Sequence, residues 1–249
     1  MTDAAERNPL PGGEPPGEIL AQFRREMPIT RHWAYFDNAA VAPISGPALA
    51  VLRRFAEQAA AQGDTVWPDW NAGVEQARKR AADLIGAQPE EIALVPNTTE
   101  GINLVAEGYP WKPGDRVITL ADEFPTNQYP WMNLADRGVE VVRLPTNHGR
   151  LELDRLAAAC NEKTRVVAVS WISFSSGWRN DLDRLTEIAH GRGALLLVDA
   201  IQGLGVQPLD VRQTPIDFLA ADGHKWLLGP EGAGVFFTRH EHLERLRPI

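Results

Sequence analysis

Two short segments, VDAIQ (Val198–Gln202) and DGHKW (Asp222–Trp226), carry residue types suited to chemistry. Each reads as the end of a buried strand that delivers polar side chains to one rim of a sheet. Asp199 supplies a carboxylate and Lys225, 26 residues further on, an amine. That pair suits pyridoxal 5'-phosphate, whose aldehyde a lysine holds as a Schiff base while an acid keeps its pyridine nitrogen protonated. Lys225 must be unprotonated to attack an aldehyde, and burial lowers a lysine pKa. Once freed, the same amine can move a proton at a substrate α-carbon.

Each residue also has a plainer reading. A lysine can snorkel at a strand end, and Asp199 can cap a following helix. Gln202 can complete a capping box with Asp199 instead of hydrogen-bonding the cofactor's phenolic oxygen. His224 beside Lys225, with Asp199 upstream, favours the cofactor reading for the lysine, whereas Asp199 taken alone is open. The other lysines have bland surroundings: Lys79 lies in a charged helical stretch, and Lys112 and Lys163 in turns.

Asn97-Thr98-Thr99 falls between a β-rich run and a helix, so hydroxyls and free backbone N–H groups there can face a phosphate. Asn97 and Glu100 also make a capping box, and both readings can hold together. Phe124 can stack on a pyridine ring or belong to the core. Ser173, Ser175 and Ser176 precede Gly177 and offer either hydroxyls near the cofactor or ordinary turn chemistry. Cys160, at a helix end with no basic neighbour, reads as inert. The six histidines lack metal-ligand spacing, so no metal site is expected, and His148, His240 and His242 read as solvent-facing.

Positioning these groups requires an alternating framework. β-rich runs fall at Ile92–Val95, Arg116–Leu120, Val139–Arg143, Val166–Ser170, Ala194–Val198, Phe218–Ala220 and Val235–Phe237. Helical patterns fall at Ser45–Gly63, Ala72–Ile85, Thr99–Glu107, Thr126–Arg137, Leu153–Cys160 and Leu182–His190. The alternation predicts an α/β fold, a three-layer, mostly parallel sheet with helices on both faces. Ligands bind beyond the carboxyl ends of such strands, where the polar clusters gather. Residues 1–17 show no periodicity and read as a disordered arm, leaving 18–249 as one cofactor-binding domain with an N-terminal segment.

The chain has 249 residues, 44% of them hydrophobic, enough for one large core. A net charge of −8 without a long basic cluster argues against nucleic acid. One cysteine and no long apolar run point to a reducing cytoplasm and no membrane. A nucleotide-binding oxidoreductase would show GxGxxG after a strand, and none stands in that context.

The motifs YFDNAA (Tyr35–Ala40), NTTEGINLVA (Asn97–Ala106), EFPTNQYPW (Glu123–Trp131), VDAIQ and DGHKWLLGPEGAG (Asp222–Gly234) occur in one order. In them the chain resembles the class V aminotransferase family of fold-type I pyridoxal phosphate enzymes, which includes cysteine desulfurases and isopenicillin N epimerase. The resemblance runs from about Tyr35 to Phe237 and implies that fold. It implies that Lys225 is the attachment lysine, that Asp199 pairs with the pyridine nitrogen and that Gln202 contacts the phenolic oxygen. It places Thr98, Thr99 and His224 around the phosphate. Phe124 stands where desulfurases have a ring-stacking histidine, and Asp222 where they often have a phosphate-binding serine, so Asp222 is expected to point elsewhere. The family's smaller C-terminal domain, with its carboxylate-gripping arginine and the desulfurase cysteine, has no counterpart here. Cys160 does not match that cysteine, so the resemblance does not support desulfurase activity. The implied chemistry acts on an amino acid by transamination, epimerisation or elimination in a homodimer; the alternative is a truncated, non-catalytic cofactor-binding or assembly protein.

Overall fold

The computed structural model describes residues 16–248. Seven strands form one sheet: β1 Ile92–Val95, β2 Arg116–Leu120, β3 Glu140–Leu144, β4 Thr164–Ser170, β5 Leu195–Asp199, β6 Phe218–Asp222 and β7 Gly234–Thr238. Their order is β1-β7-β6-β5-β4-β2-β3, with β7 antiparallel to both neighbours and every other pairing parallel. All residues of β5, β6 and β7 are buried, as expected for strands covered on both faces.

The helices are α1 Pro16–Glu26, α2 Gly46–Gln62, α3 Trp67–Ile85, α4 Thr98–Gly108, α5 Tyr129–Met132, α6 Leu153–Ala159 and α7 Leu182–His190. One core cluster joins Ile85, Leu156 and Leu185 to one face of the sheet, and a second joins Ile102, Val105 and Trp131 to the other. The expected three-layer α/β architecture is what the structure has. α4 lies so close to β6 that a Cβ on Gly101 would sit 2.8 Å from the Ala220 side chain. Only glycine lets the start of this helix approach the site strands that closely.

The expected helices at Ser45–Gly63, Thr99–Glu107, Leu153–Cys160 and Leu182–His190 form within a residue or so. Ser45 caps α2 by accepting from the Ala48 N–H at 3.3 Å. α3 begins five residues earlier than its apolar repeat indicated, because Pro68 fits its first turn. The long helix read at Thr126–Arg137 is instead a 3-10 turn at Pro125–Asn127, the single turn α5, and a 3-10 segment at Asn133–Arg137. Pro130 lacks the N–H that a continuous helix needs. Trp131 Nε1 also donates to Asn127 Oδ1 at 2.8 Å, which fixes the bend. Of the arm read at 1–17, residues 1–15 lie outside the described residues, while Pro16 and Gly17 begin α1.

His242 corrects a second expectation. It is buried, with Nε2 at 2.7 Å from Asp217 Oδ1, while His190 Nε2 lies 2.8 Å from Asp217 Oδ2. The Leu196 N–H completes the set at 2.7 Å. Asp217 thus staples the starts of β5 and β6 to the C-terminal turn, at the opposite end of the sheet from Asp199 and Lys225. Burial alone would raise its pKa, but the bonds from His242, His190 and Leu196 outweigh that and hold it below the usual carboxylate range. The stabilisation is therefore complete above the ordinary carboxylate pKa and fades as pH falls through the depressed one. Asp217→Ala is expected to cost about 3 kcal/mol in urea unfolding, because it strands the buried His242 ring and the buried Leu196 N–H. It should also flatten the acid-side decline; an unchanged profile would exclude the staple.

Candidate active site

The carboxyl ends of β1, β5 and β6 open into a cleft of about 510 Å³. Its walls include Thr98, Thr99, Phe124, Asp199, Gln202, His224 and Lys225, so all seven residues singled out in the sequence meet in one place. Ala39, Ser170, Ile172 and Phe174 join them, and sequence reasoning had not selected these four. Ser173, Ser175 and Ser176 are not on its walls. The neighbouring Ile172 and Phe174 face it instead, and Phe174 packs edge-on against Phe124 with ring centroids 5.3 Å apart.

Asp199 ends β5 with 2% of its surface exposed, and Ile201 N–H is the one hydrogen-bond donor to its carboxylate among the described residues, at 3.1 Å. Burial is the main cause that lifts its pKa, to about 6, against the Ile201 bond and the charge of Lys225. No helix follows Asp199, so the capping alternative falls away. Lys225, in the loop after β6, is half-buried. Desolvation lowers its amine pKa, while the carboxylates of Asp199, Asp222 and Asp37 act in the other direction. Its Nζ lies 6.0 Å from the centre of the Phe124 ring.

Gln202 does not close a capping box either. Its Nε2 donates to Ala39 O at 2.9 Å, and its Oε1 accepts from Trp226 Nε1 at 2.9 Å. The segment before α2 is tied a second time, by Ala42 N–H donating to His224 O at 2.7 Å. This strap forms one wall of the cleft.

The N-terminus of α4 forms the polar end. Asn97 Oδ1 accepts from Glu100 N–H at 2.8 Å, so the cap forms. Thr98 Oγ is buried without a hydrogen-bond partner, and Thr99 Oγ1 shares a 3.0 Å contact with Thr126 Oγ1. A buried, unpaired hydroxyl at a helix N-terminus fits an anionic oxygen. Asp222 does not point away as expected but lines the cleft, with its carboxylate held by its own loop: Oδ1 accepts from Gly223 N–H at 2.6 Å and Oδ2 lies 2.8 Å from His224 Nδ1. No hydrogen bond forms across that last approach, so His224 Nδ1 is buried without a partner. The residues therefore fit pyridoxal 5'-phosphate: a desolvated carboxylate, a desolvated amine, an aromatic face and an anion-ready helix start share one cleft.

Cys160 is buried at the end of α6, and burial pushes its thiol pKa up. Glu123, adjacent to Phe124, opens the EFPTNQYPW motif, but sequence reasoning assigned it no role of its own. It is buried behind the cleft wall and bonded to Ser170. A carboxyl in a loop offers no sequence signal of burial. No helix among the described residues is long and apolar enough to cross a membrane.

A family model described as Aminotransferase class-V matches residues 34–249. A probable cysteine desulfurase of Methanothermobacter thermautotrophicus is 35% identical over 231 residues, covering 91% of this chain and 58% of that protein. The crystal structure of the cysteine desulfurase CsdA from Escherichia coli superposes with a TM-score of 0.82 at 32% identity, covering 92% of this chain and 60% of that one. A C-DES variant with glycine covalently linked to its pyridoxal phosphate cofactor shares the fold, at a TM-score of 0.83 and 22% identity. The chain thus spans about three fifths of the length of these relatives. Since the model match takes in every element that lines the cleft, the chain belongs to the class-V aminotransferase family.

Proposed function

We propose that the chain binds pyridoxal 5'-phosphate in this cleft and acts on an α-amino acid. The observation that carries this reading is the convergence of the Asp199 carboxylate, the Lys225 amine and the unpaired Thr98 hydroxyl on one cleft. Bound there, the cofactor supplies an aldehyde and a ring that withdraws electrons from the substrate α-carbon. Lys225 would attach it and would serve as the base for the substrate α-proton, a role helped by its lowered pKa. Asp199 holds the ring nitrogen in its charged form, which supplies the partner that a buried carboxylate otherwise lacks. Phe124 covers one ring face. Thr98, Thr99, His224 and the α4 N–H groups hold the phosphate. Gln202 has one Nε2 proton left after bonding Ala39, enough for the phenolic oxygen.

Kinship with proteins named cysteine desulfurases favours cleavage of a carbon–sulfur bond over transamination or epimerisation. Cys160 does not suit the role of sulfur acceptor, because it is buried and off the cleft walls. The exposed aromatic side chains of Trp33, Phe36, Phe55 and Trp67 support a homodimer in which they are covered. The single cysteine suits a reducing compartment, and we read the protein as cytoplasmic.

Adding the cofactor to purified protein should produce a visible absorption band, and borohydride reduction should leave the adduct on Lys225. An adduct on Lys79, Lys112 or Lys163, or no band, removes the reading. Asp199→Asn should weaken cofactor affinity about 100-fold, the equivalent of losing one charge-assisted bond. The pH midpoint for attachment should also fall, because the anion that raises the Lys225 pKa is gone. A midpoint that rises would contradict the Asp199–Lys225 coupling.

A further inference from the structure

Glu123 lies in the loop after β2, yet its carboxyl is spent entirely on β4. Oε1 accepts from Ser170 N–H at 2.6 Å, and Oε2 makes a very short bond with Ser170 Oγ. Ser170 is the last residue of β4, lies on the cleft wall and stands in register with Asp199 on β5. Around this junction Asn180 Nδ2 donates to Ser170 O at 2.9 Å, and Trp171 N–H donates to Asp199 O at 2.9 Å. Gln128 Nε2 holds the Glu123 carbonyl at 3.2 Å. The charged groups facing the Glu123 carboxyl are Asp199 and Asp122, both anionic, and no cation offsets them among the described residues.

We propose that Glu123 is a positioning residue: as a proton-bearing acid it locks Ser170 beside Asp199 and leaves Asp199 the only anion where β4 and β5 meet the cleft. In this state Oε2–H donates to Ser170 Oγ while Oε1 accepts from Ser170 N–H, so both oxygens are matched and Ser170 keeps its own hydroxyl proton for the cleft. An ionised Glu123 would take that proton and set a second charge beside the first. Desolvation is the main cause that raises the Glu123 pKa, to about 8, against the two Ser170 bonds. The inference rests on the cofactor reading above for what Asp199 holds.

Glu123→Gln is neutral and keeps both bonds, its carbonyl accepting from Ser170 N–H and its amide donating to Ser170 Oγ. Glu123→Leu keeps the bulk and loses both. Titrating each purified protein with pyridoxal 5'-phosphate below about pH 8 should give wild type and E123Q affinities within about twofold, and E123L weaker by about tenfold. Above about pH 8 the wild-type affinity should fall as Glu123 ionises, while E123Q should not follow it. The cofactor-free protein supplies an independent readout. With its folded pKa raised, Glu123 contributes stability that is present at acid pH and lost as pH rises toward about 8, so E123Q should flatten that decline. Equal affinity in wild type and E123L overturns the inference, as does an E123Q protein that keeps the wild-type pH dependence. If no variant, wild type included, takes up the cofactor, the functional reading fails instead, and the cofactor-free unfolding series decides the protonation of Glu123 alone.

Discussion

The site depends on the cost of keeping a carboxylate dry. Asp199 ends a strand that is buried along its whole length, and its only direct compensation within the described residues is one backbone N–H and the charge of a nearby lysine. A buried acid so poorly matched is tolerated where an arriving cation completes it. The parallel register of β4, β5 and β6 fixes where that acid stands, and the loop after β6 brings Lys225 to the same opening. Sheet order is thus the reason that an acid and an amine far apart along the chain become neighbours across one cleft.

A division between the two ends of the sheet follows from the same physics. Asp217, at the far end, is ringed by three donors and sits below the usual carboxylate range. Asp199 and Glu123, at the cleft, are lifted above it. All three acids are buried. Asp217, matched by three donors, holds the fold together; Asp199, with a single donor to its carboxylate, faces the cleft, and Glu123 lies behind its wall on Ser170.

Much of this was legible in the residues. Seven β-rich runs separated by helical patterns become seven strands, since apolar β-branched runs and period 3.6 are strong local signals. The site residues that met in the cleft all stand at strand ends, where topology sends polar groups. Other features depend on contacts distant in sequence and leave no local trace. Nothing near His242 signals that Asp217 will bury it, and nothing near Glu123 signals a partner in Ser170, 47 residues away. The segment Thr126–Arg137 shows the opposite failure: an apolar pattern of helical type, overridden by Pro130 and by the Trp131–Asn127 bond. Phe174 was passed over beside the serines that flank it, although it and Ile172 are the residues of this loop that line the cleft.

The strap ahead of α2 has a consequence for the order in which the protein matures. Its anchors, the Gln202 side chain and the His224 carbonyl, leave the ribosome more than 150 residues after Ala39, given a separation of 163 between Ala39 and Gln202. Until then Ala39 and Ala42 lack these two anchors. Loop closure over such a span is slow compared with forming a helix. The wall that Ala39 and Ala40 form therefore cannot close until Gln202 and His224 have been made.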